Sequence, residues 1–204
     1  MAYKPFDLTG RVALVTGGNR GIGLGMASAL AQAGADIVIW GSNAERNQAA
    51  EIELLKHGTR VKAQVVDVSQ EDQVREGMEE AVAAMGRVDS VFANAGVGYG
   101  APSFVEMKTE TYRKTLAVNL DGVFFTFREA CRHMVERAKS GDPGGSIVGV
   151  ASLAAIEGAA RNQAYAATKG AVISMMKSVV VSRPVISRSI HMRLSRAGMW
   201  HSRA

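Results

Sequence analysis

Short apolar runs alternate with longer stretches of helical periodicity from Arg11 to about residue 180. Val12, Ala13, Leu14 and Val15 form a continuous apolar run, the pattern of a strand buried on both faces of a parallel sheet. Runs of this kind predict strands over 12–16, 36–40, 61–66, 88–93 and 146–151. Apolar residues spaced three and four apart predict helices over 21–33, 43–56, 70–85, 103–136 and 163–180, the fourth broken near Thr109 to Tyr112. In the first helix the repeating positions are Ile22, Met26, Ala29, Leu30 and Ala33, and Gly34 follows as a C-terminal cap. Ser69, with Asp72 three residues on, is the candidate N-cap of the third. Strand and helix in alternation give βαβ units with right-handed crossovers. The fold class expected is therefore α/β, a doubly wound parallel sheet with helices on both faces and ligand at the carboxyl ends of its strands.

The pattern changes after the last helix. Val181, Ser182, Arg183 and Pro184 break it, and residues 182–204 hold five arginines (Arg183, Arg188, Arg193, Arg196, Arg203) with no Asp or Glu. The expected division is a folded domain over 1–181 and an Arg-rich divergent tail over 182–204, with the C-terminal strands of the sheet missing or altered. Ile190, His191, Met192 and Arg193, with Gly198, read less well as a degraded sixth strand and turn than as part of that tail.

Composition refines this picture in two places. The 204 residues suit one α/β core, and the net charge of +5 comes from the tail, since the other nineteen basic residues balance nineteen acidic ones. The body thus carries no basic footprint, and no nucleic-acid partner is expected. A lone cysteine, Cys131, excludes an internal disulfide. With no visible secretory signal and no 18-residue apolar span, the expected setting is cytoplasmic, with no membrane partner.

The chemistry is concentrated at the predicted strand ends. Between the first strand and the first helix lies Thr16-Gly17-Gly18-Asn19-Arg20-Gly21-Ile22-Gly23. Gly17 suits a tight turn, Gly21 lets backbone N–H groups approach a pyrophosphate, and Gly23 lets the helix pack closely on the strand. After the second strand, where an acidic residue would bind the ribose hydroxyls of NAD, stand Gly41, Ser42 and Asn43. An uncharged strand end with Arg20 nearby favours the 2′-phosphate of NADP(H), with NAD(H) the alternative. Asp67, followed by Val68, is placed to accept a hydrogen bond from an adenine amino group or to cap the next helix. Asn94-Ala95-Gly96 offers small residues where backbone passes a flat ligand, or a plain turn.

Asn119 interrupts an otherwise apolar helical pattern, so it is hydrogen-bonded either structurally or within a site. Tyr165 and Lys169 lie one helical turn apart on one face. An ammonium beside a phenol favours its ionised form, which suits the phenol to pass a proton to or from a substrate oxygen. Ser152, thirteen residues earlier, offers a hydroxyl to polarise the same oxygen. No metal site is expected.

Taken together, Thr16-Gly17-x-x-x-Gly21-x-Gly23, Asp67, Asn94-Ala95-Gly96, Asn119, Ser152 and Tyr165-x-x-x-Lys169 resemble the short-chain dehydrogenase/reductase family over about residues 8–180. The likeness is to the subgroup with 3-oxoacyl carrier-protein reductases and sugar-acid or polyol dehydrogenases. It implies a Rossmann-type sheet, normally of seven strands, and hydride transfer between nicotinamide and a ketone or secondary alcohol. Tyr165 would be the general acid/base, Lys169 would also bond the nicotinamide ribose, Ser152 would orient substrate, and Asn119 would support a proton relay. It further implies a small-molecule substrate and a homo-dimer or homo-tetramer, with the dimer built on helices near 112–136 and 163–180. Loops 97–104 and 153–163 would help set specificity. The alternative function is a dinucleotide-binding protein with catalytic residues but an incomplete substrate pocket.

Overall fold

The computed structural model describes residues 6–181 and 191–195. Its elements are β1 (Val12–Thr16), α1 (Gly21–Gln32), β2 (Asp36–Gly41), α2 (Ala44–Leu55), β3 (Val61–Val65), α3 (Glu71–Met85) and β4 (Ser90–Ala93). There follow α4 (Thr109–Leu116), a π-helical turn (Ala117–Asp121), α5 (Gly122–Lys139), β5 (Ser146–Val150), α6 (Ala154–Glu157), α7 (Gln163–Val181) and β6 (His191–Ser195). The strands form one sheet in the order β3-β2-β1-β4-β5-β6, and every pairing is parallel. The order reverses between β1 and β4, the point at which such a sheet opens a crevice for ligand.

Alternate residues of the central strands feed two cores. Val12, Leu14, Val38 and Trp40 face α3, α5 and α7, where Val74, Met78, Phe127, Met134, Val172 and Met176 are buried. Ala13, Val15, Ile37 and Ile39 face α1 and α2, meeting Ala27, Ala31, Ala50 and Leu54. Both faces of the sheet are thereby covered, which is why its strands read as unbroken apolar runs.

Three expectations are corrected. The helix expected over 103–136 starts only at Thr109 and, through the π turn, runs to Lys139. Phe104 and Val105, inside the expected span but ahead of α4, are among the most exposed apolar residues. Ser69 does not cap α3, because its N–H and hydroxyl both donate to Asp67 Oδ1 (2.9 and 2.7 Å), and Gln70 precedes the helix without a side-chain cap. Within the segment expected as a divergent tail, β6 pairs with β5 from Ser146↔His191 to Val150↔Ser195, so a sixth strand is in place. The short α6 was not foreseen. Gly34, with φ +96°, does follow the end of α1 as expected. The rest of the expected tail, 182–190 and 196–204, lies outside the described residues.

At the amino ends of β1 and β4, away from the crevice, Asp89 is buried and gathers Arg11, Arg87 and Arg137 at 3.2, 2.6 and 3.4 Å, and also accepts the Val12 N–H. Burial pushes its carboxyl upward, but the bonds from Arg87 and Val12 and the nearby arginine charges outweigh that and hold it below the usual carboxylate range.

Candidate functional site

The glycine turn is built as its spacing demands. Gly17 (φ +63°) and Gly21 (φ +52°) take the left-handed conformation that side chains disfavour. A Cβ on Gly23 would run into the carbonyl of Gly17. A Cβ on Gly21 would meet nothing within 4 Å, so this backbone is open to an approaching ligand. Arg20 precedes α1 without a side-chain cap, which leaves the first-turn N–H groups of the helix to be satisfied by an anion.

From this turn a cleft of about 780 Å³ extends along the carboxyl ends of the strands. Gly17, Asn19, Arg20, Gly21, Ile22 and Gly23 line it from the turn, Ser42 and Asn43 from the end of β2, and Asp67 and Val68 from the end of β3. Asn94, Ala95 and Gly96 line it beyond β4, and Tyr165 and Lys169 from α7. All the residues expected to hold a dinucleotide therefore share one cavity, and the open backbone at Gly21 fits a pyrophosphate.

At the α7 end, Lys169 is buried and donates from Nζ to the Val150 carbonyl at 2.7 Å, with Nζ 5.7 Å from the Tyr165 ring centroid. Burial pushes its pKa down to about 8. Asn119 is fully buried in the π turn. Its Oδ1 accepts the Val97 N–H (2.8 Å), and its Nδ2 donates to the Val97 carbonyl (2.8 Å) and to Thr168 Oγ1 (3.3 Å). It thus ties the chain after β4 to α7. A Cβ on Gly96 would lie 3.4 Å from Asn119 Oδ1 and 3.6 Å from Lys169 Nζ, so glycine keeps the space beside the ammonium clear. Ser152 lies two residues beyond β5, next to Ala151 on the cleft wall. Its Oγ accepts the Ala154 N–H at 3.3 Å and keeps its own O–H to donate.

At the other end, Asp67 Oδ1 is engaged by Ser69 while Asp67 still lines the cleft. Asn43 caps α2 by accepting the Arg46 N–H at 2.8 Å, which seats Arg46 on the cleft wall together with Arg20.

Thr16 and Asn94 were visible as motif residues, but the bonds between them were not. Thr16 Oγ1 accepts the N–H groups of Asn94 and Ala95 (3.0 and 2.9 Å), and Asn94 Nδ2 returns a bond to the Thr16 carbonyl (3.0 Å), so Asn94 fastens the two strand ends together. Arg46 and Asn47 gave little sign of themselves. Asn47 did carry one signal, a polar residue in helical register with Ala50 and Leu54. Among the described residues there is no cluster of His, Cys, Asp or Glu fit to hold a metal, and no helix long and apolar enough to cross a membrane.

This sheet, with a glycine turn at its switch point, defines a nucleotide-binding protein of the Rossmann type. Comparison with known proteins goes further. The family model for short chain dehydrogenases matches residues 11–190. The 3-oxoacyl-[acyl-carrier-protein] reductase of Chlamydia pneumoniae is 34% identical over 183 residues, covering 90% of this chain and 71% of that one. Gluconate 5-dehydrogenase of Gluconobacter oxydans is 34% identical over 174 residues, 85% of this chain and 66% of its own. Among solved structures, an NAD+-bound xylitol dehydrogenase superposes with a TM-score of 0.85 at 29% identity, over 92% of this chain and 69% of that one. The 3-ketoacyl-(acyl-carrier-protein) reductase of Brucella melitensis, complexed with NADH, gives 0.82 at 30%, over 90% and 72%. The chain belongs to the short-chain dehydrogenase family of nicotinamide-dependent oxidoreductases.

Proposed function

We propose that this protein is an NADP(H)-preferring oxidoreductase that interconverts a ketone and a secondary alcohol. The observation that carries the reading is the single cleft with an anion-ready helix N-terminus at one end and Tyr165 beside Lys169 at the other. Bound there, the nicotinamide would supply or accept the hydride. The glycine turn and the α1 N-terminus would hold the pyrophosphate, and Arg20 and Arg46, with no acid at the end of β2, would receive a 2′-phosphate. Lys169 keeps N–H donors beyond its bond to Val150 with which to hold the ribose. Tyr165 passes a proton to the substrate oxygen during reduction and takes it back during oxidation. Asn119 acts through position, fixing Val97 and α7 against each other.

The solved relatives named above carry NAD+ and NADH, so the preference for the phosphorylated form is the part most in need of measurement. Titration of the purified chain with NADPH and NADH, followed by turnover on a panel of ketones, polyols and sugar acids, tests the reading. Tight NADPH binding with turnover supports it, and turnover with NADH alone overturns the preference. A homo-dimer through the α4–α5 and α7 faces, where Tyr112 and Phe124 are exposed, goes with it.

A further inference from the structure

Gly41 closes β2 in strand geometry, where φ imposes no need for glycine. What excludes a side chain there is space. A Cβ on Gly41 would fall on Asn19 Nδ2 and Asn47 Oδ1, and these two atoms are hydrogen-bonded to each other at 2.7 Å. The pair does not yield easily. Asn47 is 3% exposed, and its Nδ2 donates to the carbonyls of Gly41 (2.9 Å) and Gln64 (2.8 Å), the ends of β2 and β3. Moving its amide aside would leave buried acceptors unpaired. Asn19 belongs to the glycine turn and lines the cleft beside Arg20, whereas Asn47 lies behind the wall.

We propose that the Asn19–Asn47 amide pair is the device by which this chain selects a phosphorylated adenosine ribose, with Asn47 as the positioning residue. The pair fills the volume that an acidic side chain at position 41 would need, so the subsite cannot present a carboxylate to ribose hydroxyls. It also ties the turn bearing Arg20 to Gly41 at the end of β2 and Gln64 near the end of β3, in the cleft that Arg46 also lines. An amide pair and a side chain at position 41 are thus mutually exclusive. This rests on the reading that this end of the cleft takes a 2′-phosphate.

The test is a double-mutant cycle of Gly41→Ala and Asn47→Leu, with Asn19→Ala added because it breaks the same pair from the turn without touching the buried carbonyls. NADPH and NADH dissociation constants are measured for each purified protein, and the readout is their ratio, which general loosening of the fold would not move. Each single variant is expected to lower the preference for NADPH at least fivefold, and the Gly41→Ala/Asn47→Leu double variant no further than the worse single one. Unchanged ratios in Asn19→Ala and the other singles, or effects that simply multiply in the double variant, would overturn the inference. A wild-type ratio near one would instead remove the NADP preference on which it stands, so the two failures are told apart by the wild-type titration alone.

Discussion

Asn119 clasps Val97 at both of its backbone groups, accepting the N–H and donating to the carbonyl, each at 2.8 Å. A π turn inside the α4–α5 helix carries that amide, and a third bond reaches Thr168 on the helix bearing Tyr165 and Lys169. Asn119→Ala removes all three bonds from a fully buried position. Loss of about 1–3 kcal/mol of stability is expected for the unpaired groups, read from urea unfolding. A fall in kcat should accompany it, because Val97 and α7 lose their common anchor. Full activity in Asn119→Ala would show that the amide is structural only.

Tyr165→Phe keeps the ring near Lys169 and deletes only the hydroxyl. Turnover should fall by about 10²- to 10⁴-fold, the usual worth of a positioned general acid or base, while NADPH affinity stays within about twofold. Turnover at the wild-type rate would remove Tyr165 from the chemistry.

Lys169 gives the apo protein a distinctive alkaline behaviour. Burial lowers its pKa from 10.5 to about 8, so between those values the unfolded chain binds more protons than the folded one. Stability therefore rises with pH through that window, and the cost of burying the charge is fully present below it. Lys169→Met should unfold at a higher temperature than wild type at pH 7, with the gap narrowing toward pH 10. A gap independent of pH would mean that the ammonium carries no such burden.

His133 works at the acid side, next to the Asp89 cluster. Its Nε2 accepts the Val88 N–H at 3.1 Å, and burial, aided by the Arg137 charge, lowers its pKa below 6.5. The neutral ring is the one that fits, so stability is lost as pH falls below about 6.5 and the unfolded chain takes up the proton first. His133→Gln, which keeps an acceptor, should show a smaller drop in urea midpoint between pH 7.5 and 5.5. Equal drops would place the acid sensitivity elsewhere.

The central strands were legible because a strand covered on both faces leaves no polar alternation to misread. The glycine turn was equally plain, since φ at Gly17 and Gly21 and close packing at Gly23 each constrain residue type. Phe104 and Val105 fall inside the expected helix yet precede α4 and stand 70% and 90% exposed, and residue type does not distinguish a buried apolar residue from an exposed one. The strand at His191–Ser195 has no apolar run, and its pairing with β5 is a tertiary fact. Ser69 has the residue type of a cap, but Asp67, two positions back, captures it. Ser152 stood at the expected strand end, and the bond its Oγ accepts from the Ala154 N–H, in the turn into α6, is a local detail no pattern shows.

Trp40 is wholly buried, its indole N–H held by Gln64 at 2.8 Å, and it forms part of the cleft wall. The molecule consequently has a light source built into the wall of its own binding site. A rigid indole in dry surroundings emits toward the blue, and a reduced nicotinamide cofactor in the same cleft absorbs in that region. Occupancy can therefore be followed as dimming of the protein's own emission, with no attached label, once Trp200 is replaced by Phe so that only the wall residue is seen.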